Sequence, residues 1–392
     1  MDPSRAGAAV AAHPLVERVT PVLTGDVSAV GGVVRDALAG LGHGPDLDLV
    51  VEGDAVAEAA RIGRALGARV VAHPRFGTAH IELPHGGHVD LVSARTETYA
   101  APGALPTVGP GSLLDDLARR DFTVNAMALG LCGTRAGELI DPHDGAADLA
   151  AGLLRAVRAD TFVEDPSRLV RAARYAARLD LALAPGTEAA ARAVAPVLGL
   201  GSARIAEELR RVLDEDGATG ALALLRDLGV PWVREGARVA IAALEAAAAH
   251  PGAPAVPVWA LRLGGGVEAD AVAGAALPGW ARAIAAEAAA GAGLAERLSQ
   301  AAAPSEIDRM LRAVPPATAI GALAAGAPAV AGWWASDRAP SVTGADLVRA
   351  GVAPGPAIGR ALAEVRAALL DGRVDDHDAQ LALALRAARE AT

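Results

Sequence analysis

The first part of the chain alternates with strand period. VSAV (27–30), DLDLVV (46–51), ARVVAH (68–73), TAHIEL (78–83) and GHVDLVS (87–93) each put apolar residues on one face or in a short buried run. Beyond about residue 150 such runs almost vanish, and Ala/Leu/Arg/Glu stretches at helical spacing replace them. Pro and Gly punctuate that second part at LAPGTE (183–188), LGLGS (198–202), HPGAPAVP (250–257), PGW (278–280), VPP (314–316) and APSV (339–342), which predicts turns between helices. No fixed-period repeat is present. The pattern therefore predicts an α/β domain followed by an all-helical part whose Trp side chains serve as core anchors.

Within the α/β part, VSAV leads into Gly31-Gly32 and then VVRDALAG, a strand, a tight turn and a short helix. A glycine turn that opens a helix points backbone N–H groups at an anion, and Arg35 would add a charged fork for phosphate. In DLDLVV, Asp46 and Asp48 share one face while Leu47, Leu49 and Val51 take the other. Such a pair either forms the solvated polar face of an amphipathic edge strand or shares a cation such as Mg²⁺ with substrate phosphates. Asp90 in GHVDLVS is available as a third carboxylate for two-metal nucleotidyl transfer, or as a partner for Arg95.

The stretch VEDPSRLVRAARYAARL adds a charged helix face. Asp165 then Pro166 reads as an N-cap followed by Pro at the first helical position. Arg168, Arg171, Arg174 and Arg178 fall within one third of the circumference, and Leu169, Ala172, Ala176 and Leu179 take the other side. Like charges so placed destabilise a helix unless something anionic lies opposite.

Composition sharpens this. The 392 residues carry 36 basic and 46 acidic side chains, a net charge of −10, and with no Lys in the chain every basic group is Arg. A polynucleotide partner then needs a local basic surface. Residues 155–211 supply one, with ten Arg against seven acids, and there Ser202 is a candidate N-cap and Arg204 and Arg211 are candidate RNA contacts. One Cys, Cys132, excludes an internal disulfide framework. The N-terminus lacks a basic region followed by a long apolar core, and no Ala-rich run reaches membrane-spanning length, so a cytoplasmic protein is expected. Without Lys no G-x-x-x-x-G-K-[ST] loop exists, no H-E-x-x-H appears, and His377-Asp378 lacks the further His and Asp of a phosphohydrolase site. No oligomeric state follows from the sequence.

Taken in order, GGVVRDALAG with its DLD, RRDFTVNAMAL, DPHDGAADLAAGLLRAV and VEDPSRLVRAARYAARL resemble the class II tRNA nucleotidyltransferase / bacterial poly(A) polymerase family, over about residues 27–180. VTGADLVRAGVAPGPAIGRAL (342–362) resembles its tail, whereas about 215–335 matches only as generic helix. The resemblance implies a polymerase-β-like mixed-sheet head (1–150), then an all-α neck (151–214), body (215–335) and tRNA-binding tail (336–392). It implies that Asp46 and Asp48 hold Mg²⁺, with Asp90 beside them. Gly31, Gly32 and Arg35 would contact phosphates, and Arg120, Asp121 and Asn125 the ribose and phosphates. Asp165 and Arg168 would read the Watson–Crick edge of CTP or ATP, with Arg171 and Arg174 in support, since an Arg fork donates where Asp accepts from the exocyclic amine that C and A share.

The activity so implied is addition of CCA to the 3′ end of tRNA from CTP and ATP, with release of pyrophosphate. CC-only addition, A-only addition, poly(A) tailing and a non-catalytic RNA-binding role are the alternatives. In this family a flexible loop between the Asp pair and RRDFT is associated with switching to A addition, and TYAAPGALPTVGPGSLLDD (98–116) is such a loop here. The acidic chain lacks the basic extension usual in poly(A) polymerases.

Overall fold

The computed structural model describes residues 3–42, 44–84, 86–98, 107–336 and 339–390. The chain packs as two compact units, one of residues 1–199 and 215–231, the other of residues 200–214 and 232–392.

The first unit is built on a mixed seven-stranded sheet. Its strands are β1 (Val27–Val30), β2 (Asp46–Val51), β3 (Arg69–His73), β4 (Thr78–Glu82) and β5 (His88–Ser93), then β8 (Ala128–Cys132) and β9 (Leu139–Ile140). The order is β3-β4-β5-β2-β1-β8-β9, with β2 and β5 parallel and the other neighbours antiparallel. All five strands expected from alternation are present, but β2 is a central strand, not an edge. Leu47, Leu49 and Val51 pack with Ile62, Ile81 and Leu91 in the main core. Each such side chain contributes about 1.5–3 kcal/mol of burial, and Leu49→Ala would cost about 2–5 kcal/mol. On the opposite face Asp46 and Asp48 are exposed, while Val50 joins a smaller cluster with Val30, Leu113, Leu117 and Ile140. One face of β2 is thus wet at its start and covered at its end.

Within the expected loop 98–116, the described residues carry regular structure. β6 (Arg95–Thr98) and β7 (Thr107–Pro110) form an antiparallel ribbon, and Ser112 caps the helix Leu113–Ala118 with a capping box to Asp115. Residues 99–106 lie outside the described residues.

The second unit is helical and built on small residues. The helix Gly279–Ser299 lies against the helix Pro316–Ala324, where a Cβ on Gly291 would strike the Gly321 backbone and one on Gly321 would strike the Ala288 carbonyl. The Trp are mostly not the core anchors expected: Trp232 is buried, but Trp280 is 52% exposed and Trp259, Trp333 and Trp334 are half-buried. Ala and Gly bring the helices too close together for large rings between them. One polar staple joins three helices. Asp308, on Pro304–Arg312, accepts from Arg366 (2.7 and 2.9 Å) on Pro356–Leu370 and from Trp333 (2.8 Å) on Pro328–Ala335. Burial works against its charge, but Arg366 and Trp333, with Arg312 nearby, hold its pKa at about 2.

Candidate functional site

Every residue of the site described here belongs to the first unit. It begins at the turn after β1. Gly31 has φ +68°, and a Cβ there would stand 3.0 Å from an Arg120 guanidinium nitrogen. Only glycine meets both demands. The helix Gly32–Ala39 follows, with its first N–H groups open at the turn.

Asp46 and Asp48 start β2 beside β5, in register with His88 and Asp90. Asp46 lies 3.2 Å from His88 Nε2, and Asp90 lies 2.7 Å from His80 Nδ1. Asp90 therefore pairs with His80, not with Arg95, whose guanidinium bonds Glu97 and the Phe76 carbonyl. Asp48 is exposed. Loss of surrounding water is the largest push raising its pKa, Asp90 and Asp46 add to it, and Arg120 and Arg171 oppose it. Among the described residues no group of three His, Cys, Asp or Glu is arranged to hold a metal. The Asp46/Asp48 pair is what remains for a cation, and a hard divalent ion that takes its other oxygens from substrate fits two carboxylates.

Asn125, the single Asn, occupies a buried crossing of charges. Its Oδ1 accepts from Arg35 Nη1 at 2.6 Å, and its Nδ2 donates to Asp121 Oδ1 at 3.1 Å. The uncharged amide offers an acceptor to Arg and a donor to Asp at once. Asp121 also accepts from the Phe122 N–H and faces Arg171 Nε at 2.5 Å. Burial alone would raise the Asp121 pKa, but Arg171, Asn125, the Phe122 N–H and Arg168 together hold it below the usual carboxylate value.

Several of the expected site residues sit among buried partners. Arg35 is 2% exposed, tied to Asp36 and Asn125 and laid over the Tyr175 ring, so it braces the turn from behind and does not present a fork at the surface. Asp121 and Asn125 are likewise buried, each bonded to the other and to an Arg. Arg119 and Arg120 both grip the fully buried Asp116. Arg120, partly exposed, also reaches the Asn125 carbonyl at 3.3 Å and the field of Asp48.

The helix Ser167–Leu179, the expected recognition helix, begins one residue later than Asp-Pro suggests. Asp165 Oδ1 accepts from the Ser167 N–H at 3.1 Å and the Ser167 hydroxyl at 2.6 Å, so the Asp165 side chain caps the first turn as the Asp-Pro pair suggests. Its Arg face finds anions inside the unit: Asp121 opposite Arg171, and Glu215 opposite Arg174 (2.9 Å) and Arg178 (4.0 Å). Arg168 is buried and donates to Thr161 Oγ1 (2.7 Å) and the Arg119 carbonyl (3.1 Å). Glu164 is paired with Arg158. The motif DPHDGAADLAAGLLRAV is a brace: Asp148 accepts from Thr123 Oγ1 at 2.7 Å and from Arg155, while Asp141 caps the helix Gly145–Ala150.

Arg204 and Arg211 lie on the helix Ala203–Asp214 of the other unit, where Arg211 pairs with Glu207 (3.3 Å) and Glu208 (3.5 Å). Sequence reasoning missed Asp116 and Tyr175. The i,i+4 spacing of Asp116 to Arg120 and of Arg171 to Tyr175 is the signal that would have found them.

Residues 27–155 match the poly(A) polymerase head domain family. An A-adding tRNA nucleotidyltransferase of Halalkalibacterium halodurans is 41% identical over 51% of this chain and 48% of its own length. The chain spans less than half the length of the A-adding relatives it matches. A CC-adding tRNA nucleotidyltransferase of Deinococcus radiodurans is 36% identical over 90% of this chain and 87% of its own. Among solved structures, an apo CCA-adding enzyme aligns with a TM-score of 0.78 at 25% identity, covering 98% of this chain and 96% of that one. No helix among the described residues is long and apolar enough to cross a membrane. With these likenesses running almost end to end, and with the glycine turn, the Asp46/Asp48 pair and the arginine-bearing helix assembled in one unit, the chain belongs to the class II tRNA nucleotidyltransferase family.

Proposed function

We propose that this protein adds C and A residues from CTP and ATP to the 3′ end of tRNA, completing CCA and releasing pyrophosphate. The observation that carries the reading is the exposed Asp46/Asp48 pair, facing the charge of Arg120 and Arg171, in a chain of this family. The terminal 3′-hydroxyl attacks the α-phosphorus, the new P–O bond forms, and pyrophosphate leaves in line. The Gly31-Gly32 turn offers backbone N–H groups to the triphosphate. Arg120 orients it and balances its charge, while Arg171 supports the base-reading residues at the start of its own helix. Asp165 and Arg168 sit at the start of the recognition helix, suited to read the base edge. Asp46 and Asp48 would hold a divalent cation, Mg²⁺ in this reading, which supplies charge stabilisation to phosphate oxygens and a more acidic attacking hydroxyl. Its setting is the cytoplasm.

A second reading, addition of CC alone, draws support from the relative aligned over 90% of the chain, a CC-adding enzyme. The test uses three tRNA transcripts, ending at the discriminator base, at C and at CC, each with CTP, ATP or both. Extension of all three to CCA is expected, and Asp48→Ala should abolish it while folding is retained. A stop after CC would replace the first reading with the second. A single A added only to the CC-ended transcript, or a long A ladder, would overturn both. Extension by Asp48→Ala equal to wild type would remove the catalytic role of the pair.

A further inference from the structure

Tyr175 is buried in the recognition helix, and three guanidinium groups surround its ring. Arg174 lies 4.7 Å from the centroid, Arg35 5.2 Å and Arg171 5.4 Å. Phe122 meets the same ring edge-on at 6.1 Å. Each cation has its own carboxylate: Asp36 for Arg35, Asp121 for Arg171 and Glu215 for Arg174. Neutralised pairs can crowd one ring where bare cations would repel.

The contacts come from three stretches: Arg35 from the helix behind the glycine turn, Phe122 from RRDFT, and Arg171 and Arg174 from the recognition helix. Of the three cations, Arg35 and Arg174 are buried, whereas Arg171 is 34% exposed at its side chain and lies within the field of Asp48. The ring supports Arg171 from one turn further along the helix, and Asp121 holds it from the side. We propose that Tyr175 is a positioning residue that fixes Arg171 for the incoming nucleotide and thereby sets discrimination between nucleoside triphosphates. This rests on the reading of the site as a nucleotide-transfer centre.

The test compares Tyr175→Met, which keeps apolar volume without a π face, with Tyr175→Phe, which keeps the ring. Equilibrium binding of CTP and UTP is measured for each protein, together with kcat and KM for both on the tRNA transcript ending at the discriminator base. Tyr175→Met should narrow the CTP/UTP ratio on the order of tenfold, mainly through CTP. Tyr175→Phe should restore the wild-type ratio. A purely structural ring would lower thermal stability and affect CTP and UTP by the same factor, and that result would overturn the proposal. Should Tyr175→Met fail to fold, loss of the ratio in Tyr175→Phe would equally overturn it, since its ring is intact. Wild-type protein that discriminates in binding but extends no tRNA would sink the tRNA reading alone. Wild-type protein that binds both triphosphates equally would sink the positioning role.

Discussion

Replacing Asn125 by Asp alters one atom group and one charge at the centre of the site. The new carboxylate would lie near 2.6 Å from Arg35 and 3.1 Å from Asp121, the distances the amide now makes. At an effective dielectric constant of 20 these give an attraction and a repulsion of about 5–6 kcal/mol each, which nearly cancel. What remains is the desolvation of an extra buried charge, several kcal/mol, and the lost hydrogen bond to a charged partner, about 1.5–3 kcal/mol. Keeping the new acid protonated costs about 4 kcal/mol at pH 7 and about 1.5 kcal/mol at pH 5. Protonation is the cheaper route, and a neutral acid still donates to Asp121. The folded-state pKa of residue 125 therefore rises above its unfolded value. The stability it confers is complete below the unfolded pKa and is lost as pH climbs towards the folded one. Asn125→Asp should thus be destabilised by up to about 4 kcal/mol at pH 7 and by less than half of that at pH 5. Calorimetry of both proteins across this range measures the gap. A gap that is the same at pH 5 and pH 7, or no gap, would refute the account of why this position is an amide.

Gly31→Ala should lose about 1–2 kcal/mol from its positive φ and displace Arg120, visible as a higher KM for triphosphate in the extension assay. Asp90→Asn removes a like charge facing Asp48, so the acid limb of the kcat/KM profile should move to lower pH, and an unmoved limb would argue against coupling between the two. Asp308 titrates at about 2 in the folded protein against an ordinary 3.8, which corresponds to about 2 kcal/mol present above pH 4 and lost as pH falls towards 2. Asp308→Asn should remove that acid-side dependence from the Trp-reported transition, and a transition unchanged below pH 4 would show that the staple does not stabilise this unit.

TAHIEL and GHVDLVS were legible as strands because alternate side chains are buried on them, Ala79 and Ile81 on β4 and Val89 and Leu91 on β5, whereas VSAV is buried throughout and was legible as a short apolar run. β8 and β9 were not, since ALGLC and LI are too short and too uniformly apolar to show a period. The Asp pair and the glycine turn announced themselves through residue type at fixed spacing. The inward roles of Arg35, Asp121 and Asn125 did not, because a polar side chain looks the same in sequence whether it faces solvent or a buried partner. Only long-range pairing separates the cases, and Arg35 meets Asn125 across 90 residues. The misjudged Trp have a related cause: large rings suggest core positions, yet the core between these helices is made by the residues that take least space.

The contact of Gly291 with the Gly321 backbone reverses the usual hazard of mutation in that unit. Interiors filled by Leu and Phe are vulnerable to truncation, because deletion leaves a void. Where two backbones already touch there is nothing to delete, and the threat is growth. A single methyl at either glycine forces two helices apart along their length, so a tolerated change there requires a compensating shrinkage across the interface. Random substitution should therefore fail at small-to-large changes along this seam, the opposite hazard to the Leu-rich sheet that carries the site.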